Sequence, residues 1–73
     1  MLLGMMKIGA EVKVVSVQLP DPLRGRLFDL GILPGTKLDV IAPSLYGASI
    51  VSCRGNRIAI DRQLSRFIEV AEN

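Results

Sequence analysis

The sequence predicts a mostly β fold: a small closed or nearly closed barrel of about five strands with one short α-helix. Three observations carry this. Several short runs between Val12 and Val70 alternate apolar and polar residues with period two. Gly55-Asn56 separates two such runs as a tight hairpin turn would. And Leu27-Phe28-Asp29-Leu30-Gly31-Ile32-Leu33-Pro34-Gly35-Thr36 reads as a helix end, a glycine stop, a Pro-Gly turn and a strand start.

The elements follow in order. Lys7-Ile8-Gly9-Ala10-Glu11 is a turn leading into a strand, and Val12 to Leu19 is valine-rich. Its phase slips, because Val12 and Val14 share one face while Val15, Val17 and Leu19 share the other. A bulge or bend accounts for that slip, as in small curved barrels; a strand covered on both faces is the competing reading. Pro20-Asp21-Pro22 ends the strand, with Asp21 suited to cap a helix and Pro22 to its first position. The helix is expected over about 22–30, with Leu23, Leu27 and Leu30 on one face. Gly31 is placed for the left-handed conformation that stops a helix, and Pro34 forbids continuation.

Pro34-Gly35 fits the centre of a type II turn. Thr36 to Ile41 alternates with Leu38 and Val40 inward, and residues 42–47 form an unusually apolar loop. Ser49–Cys53 and Arg57–Ile60 make the hairpin. A helical turn capped by Asp61 is expected near 62–66, and Phe67–Val70 closes as the last strand. Closure would hide the edges that five short strands otherwise expose. Among small barrels an SH3-like barrel fits best, with an OB-fold barrel as the alternative.

Size and composition narrow the functions. Seventy-three residues make one domain over 1–73, with 1–6 expected to be loosely ordered. Cys53 is the sole cysteine, so no internal disulfide forms. Without histidine a structural zinc site has too few ligands. The fold must rest on apolar packing, for which a hydrophobic fraction of 49% provides material. Nine Lys/Arg against seven Asp/Glu are scattered, so no nucleic-acid stripe is expected. The apolar run Met1–Met6 is too short for a signal or a membrane span, which makes a cytoplasmic location the expectation.

Candidate functional residues are few. Leu45 and Tyr46 lie in the apolar loop, where burial is difficult and tyrosine favours partner contact; the plainer reading folds them over one barrel end. Arg54 and Arg57 flank the expected Gly55-Asn56 turn and could meet phosphate or an acidic partner, or simply stay solvated. Ile41 and Ile50 fall out of phase with the core; one reading exposes them as a sticky patch or self-association surface, and the favoured one covers them with the helix or with Met5-Met6. Cys53 shares its strand face with Ser49 and Val51 and is expected to be buried. Asp29, Asp39 and Asp61 are single carboxylates, too dispersed to form a metal site. No catalytic residues and no cofactor or metal ligands are assigned, and no carboxylate pair or nucleophile–base pair suggests an enzyme.

With these residues in view, the chain resembles the FeoA family. The likeness begins at Gly9 and continues through Leu30-Gly31-Ile32-Leu33-Pro34-Gly35-Thr36. Leu38, Val40, Pro43, Gly55, Ile58-Ala59-Ile60, Ile68 and Val70 complete it. Leu30, Gly31, Pro34 and Gly35 form its structural motif. Tyr46-Gly47-Ala48 departs from the family's usual turn, and Asp61 and Ser65 stand where a basic residue and an alanine are common. The resemblance implies an SH3-like barrel acting in ferrous iron transport, with transition metals associated at the family level only. It also implies a FeoB-type membrane iron permease as partner, bound through its cytosolic GTP-binding region, with the small protein recruited to the inner membrane face. No direct membrane insertion is expected, and weak homo-oligomerisation is an open possibility. A corepressor-type interaction domain of metal-dependent transcription regulation, or a small RNA-binding barrel, are the alternatives.

Overall fold

In the computed structural model, which describes residues 1–43 and 48–73, five antiparallel strands follow one another in a curved sheet of order β4-β3-β2-β1-β5. They are β1 Glu11–Val17, β2 Lys37–Pro43, β3 Ser49–Cys53, β4 Asn56–Ile60 and β5 Ile68–Glu72. Helix α1, Leu23–Asp29, joins β1 to β2, and the short α2, Arg62–Ser65, joins β4 to β5. β1 pairs with β2 on one side and β5 on the other, which rolls the sheet into the SH3-like barrel the pattern predicted.

The phase slip in β1 is a bulge. Val14 pairs with Val70 and Ser16 with Glu69, so Val15 is the extra residue. One inserted residue resets the alternation. Val15 is pushed out to 48% exposure, and Val17 and Leu19 rejoin Val12 and Val14 on the core face. The expectation that Val15 shares a face with Val17 and Leu19 is thereby corrected. A second bulge sits at Ile41, between the pairs Val40–Val51 and Ala42–Ile50. Ile41 and Ile50 are both half-buried.

α1 ends as its glycine dictates. Gly31 takes φ +96°, its N–H bonds the Phe28 carbonyl at 2.9 Å, and the Ile32 N–H reaches back to the Leu27 carbonyl at 3.0 Å. This double closure places Ile32, fully buried, beside the buried Leu27. Leu30, expected on the apolar face, is instead 51% exposed. The helix stops at Asp29, so Leu30 belongs to the cap, and Ile32 fills the core position after the chain reverses. The start differs too. Pro22 occupies the cap position without a side-chain bond, and Asp21 turns its carboxylate to Arg24 at 3.3 Å.

The Leu33–Thr36 turn closes with the Thr36 N–H on the Leu33 carbonyl at 3.0 Å and Gly35 at φ +92°, as type II requires. It is fastened to β1: the Gly35 N–H donates to the Val14 carbonyl and the Val14 N–H to the Thr36 carbonyl, at 2.7 and 2.9 Å.

The β3–β4 hairpin turns one residue earlier than expected. Cys53 pairs with Asn56, so the loop is Arg54-Gly55, with φ +52° and +82°. Positive φ at both central residues gives the twist that flanking strands need. A Gly55-Asn56 loop would have set Arg54 directly opposite Arg57, two like charges across a strand pair. At α2 the expected cap is present, Asp61 Oδ1 accepting from the Gln63 N–H at 2.7 Å.

Within residues 1–6, expected to be loosely ordered, Leu3 and Met6 pack on the barrel while Met1 and Met5 stay exposed. Met1 and Val70 exchange backbone bonds of 2.7 and 3.1 Å, Leu2 bridges to Glu69, and a 3₁₀ turn follows at Leu3–Met5. Leu3 is fully buried. The driving force is apolar: Leu3 joins Val12, Val14, Ile68 and Val70 in the core.

Candidate partner-binding site

The core takes the inward side chains, so chemistry is left to the outer face and the rim. Outward residues align across the strands by register: Glu11, Asp39, Ser52 and Arg57 form one row, and Lys13 and Lys37 lie opposite each other in the next. At one end of the strands the Leu33–Thr36 turn, just before β2, and the β3–β4 hairpin tip stand side by side. Between them lies a shallow groove of about 710 Å³, lined by Leu33, Pro34 and Gly35 on one wall and Arg54 and Gly55 on the other. Thr36, Lys37, Asp39 and Ser52 line it too.

The sequence motif explains how this groove is held. Gly31 sends the chain back toward the sheet, and its carbonyl accepts from Cys53 Sγ at 3.6 Å, tying the segment after α1 to the last residue of β3. The Pro34-Gly35 corner is fixed to β1 by the two backbone bonds above. Thus Gly31 aims the chain and Pro34 and Gly35 form part of the wall, while Leu30 is exposed and does not line the groove.

Of the candidate contact residues, Arg54 lies at the hairpin tip, lines the groove and is exposed. Arg57 does not line it; it lies exposed on β4, opposite Ser52. Leu45 and Tyr46 lie outside the described residues. Among the described residues Lys37, Arg54 and Arg57 form no ion pair, the single pair being Arg24–Asp21. An unpaired cation on an open surface gives up little when an acidic group arrives. Sequence reasoning missed Lys37 and the Pro-Gly wall as parts of a site, since they meet the hairpin only through β2–β3 pairing.

A second cleft was also missed. Met6, Lys7 and Ile8 face Val40 and Ala42 of β2, Ser49 at the start of β3 and Ala48 just before it, around about 470 Å³. Ile8 is 64% exposed there.

The inventory for chemistry is short. Cys53 is buried, at 1% exposure. Among the described residues no three His, Cys, Asp or Glu side chains come together to hold a metal ion. No described helix is long and apolar enough to cross a membrane. What remains is an open groove walled by Leu33, Pro34 and Gly35, with Lys37 and Arg54 unpaired among the described residues.

Comparison with known proteins agrees with this geometry. The FeoA domain model matches residues 1–72. None of the curated protein sequences matches the chain. Among solved structures, the solution structure of the FeoA protein from Chlorobium tepidum is 33% identical, with a TM-score of 0.91 over 99% of this chain and 70% of that one. The crystal structure of an iron uptake regulatory protein (FeoA) is 28% identical, with a TM-score of 0.85 over 97% of this chain and 93% of that one. FeoA from Stenotrophomonas maltophilia, crystallised with zinc and described as an SH3 domain protein, shares the fold at 24% identity. Its TM-score is 0.82 over 97% of this chain and 89% of that one.

Proposed function

Because this chain belongs to the FeoA family, which is associated with ferrous iron transport, we propose that it is a non-enzymatic accessory protein of iron uptake that binds a FeoB-type membrane permease. It acts from the cytosolic side, on the permease's GTP-binding region, and is recruited to the inner membrane face by that contact. One observation supports the reading above the others: the groove between the Pro34-Gly35 corner and the Arg54-Gly55 tip, whose Lys37 and Arg54 have no acidic partner among the described residues. Such a groove accepts an exposed loop carrying an acidic residue beside an apolar one. The effect on the permease is a population shift, since binding favours whichever state presents that loop.

The test is a pull-down with the full chain immobilised, offered the permease's cytosolic GTP-binding region and, separately, a pool of nucleic acid. Capture of the permease region is expected to survive moderate salt. Arg54→Glu with Lys37→Glu is expected to abolish it, and Leu45→Ala with Tyr46→Ala reports whether the apolar loop contributes. Capture of nucleic acid alone sinks the proposal.

A further inference from the structure

The sheet has two edges, and the chain treats them differently. Along β5 the residues Met1 and Leu2 supply an extra strand-like cover. Along β4, among the described residues, no strand follows. A two-residue hairpin loop makes Cys53 and Asn56 a hydrogen-bonded pair, and alternation makes Val51–Ile58 and Ser49–Ile60 bonded pairs as well. The N–H and C=O groups of Arg57 and Ala59 therefore point away from β3. Among the described residues no other backbone bond engages them. Ile58, on the inner face of this edge, is only half-buried, whereas its neighbour Val51 is fully buried.

We propose that β4 is a self-association edge, pairing antiparallel with β4 of a second copy of this chain about a two-fold axis at Ala59. The charge pattern selects that occupant and that register. Arg57-Ile58-Ala59-Ile60-Asp61 runs from a cation to an anion with Ala59 at its centre. Reversed on itself, it sets each Arg57 opposite the other copy's Asp61, and each Ile58 opposite the other copy's Ile60. Moving the axis to Ile58 sets Arg57 opposite Ala59 and leaves both charges unmatched; a parallel arrangement sets arginine against arginine. Both charged groups are exposed and available: Arg57 forms no ion pair among the described residues, and Asp61 uses only Oδ1 for its cap, leaving Oδ2.

The backbone agrees with the same axis. Ala59 of each copy donates to Ala59 of the other, and each Asp61 N–H, which has no described partner, meets an Arg57 carbonyl. The Asp61 carbonyl is occupied by the Ser65 N–H at 2.9 Å, so pairing stops there. A two-fold contact of this kind uses the edge up and closes at the dimer. Two five-residue strands cover far less than the roughly 1,200 Å² of a stable interface, so the dimer is weak and concentration-dependent. This goes beyond the permease reading, because it uses the open backbone of β4 and not the groove.

Sedimentation velocity on the full chain, over a wide concentration series, provides the test. The parent chain is expected to shift from monomer to dimer at high concentration. Arg57→Asp and Asp61→Arg, each alone, place like charges opposite each other twice and are expected to weaken dimerisation at least about tenfold. Mixed together the two variants are complementary and are expected to form a heterodimer. Ala59→Pro removes an outward N–H that β3 does not use, and is expected to abolish the dimer while circular dichroism shows the fold retained. A parent chain that stays monomeric throughout, or single variants that associate like the parent, overturns the proposal. So does a mixture that fails to pair, or a dimer that survives Ala59→Pro.

Discussion

Two glycines six residues apart should respond to alanine with opposite signs, and the structure fixes both magnitudes. Gly31 sits at φ +96°, and a methyl group there would meet only Cys53 Sγ at 3.6 Å, an ordinary contact. Space is available, so the cost of Gly31→Ala is the backbone itself, about 1–2 kcal/mol for an L-residue held left-handed. Gly25 lies inside α1 with ordinary helical φ, and its added methyl would touch Asp21 Oδ1 at 3.6 Å. Gly25→Ala therefore gains about 0.5–1 kcal/mol, because alanine loses less backbone freedom on folding. At roughly 4–8 °C per kcal/mol for a domain of this size, the two variants should straddle the parent Tm. Their separation is expected to be at least 6 °C by that same conversion, on the order of 1.5 kcal/mol or more. Urea titrations and thermal melts followed by circular dichroism measure both. If both substitutions move stability in the same direction, the assignment of Gly31 to the helix stop and Gly25 to the helix interior is wrong.

Three further outcomes test other parts of the fold. Leu3→Ala removes a fully buried side chain from the N-terminal segment and is expected to cost about 2–5 kcal/mol in urea titration; a change within 0.5 kcal/mol, on the order of a surface substitution, would mean the segment does not pack as described. Val15→Thr, at the bulge, is expected to be nearly silent, while Val14→Thr one residue earlier is expected to destabilise by roughly 1–3 kcal/mol, since its hydroxyl would be buried in the core. Arg54→Asn replaces a residue held at φ +52° with one that prefers such turns, so it is expected to raise stability by up to about 1 kcal/mol while weakening permease capture, separating folding from binding in one variant.

How much was legible in advance depended on the range of the interaction. The helix stop at Gly31, the Pro34-Gly35 corner and the Asp61 cap each involve residues within about five positions of one another, and all three appear as the pattern indicated. The bulge in β1 was visible as a broken alternation, but which residue left the row was decided by β5, where Val70 and Glu69 pair on either side of Val15. Glycine-asparagine is a familiar turn and points to a loop one residue later than the real one; only pairing across the strands makes Arg54-Gly55 the better loop. Leu30 was misplaced for a similar reason: a seven-residue spacing fits the helical face, yet the helix had already ended.

The sequence by itself determined the class of fold, the place where helix gives way to strand, and a family likeness spanning nearly the whole chain. It also placed an arginine at the hairpin tip. Tertiary structure decided what that arginine faces, that Lys37 and the Pro34-Gly35 wall share its groove, that Met1 and Leu2 cover one sheet edge, and that no other described residues pair along β4 at the other. The physical reason is separation along the chain. Local backbone preferences are encoded by neighbouring residues, whereas a groove or an edge exists only after strands distant in sequence have chosen their partners.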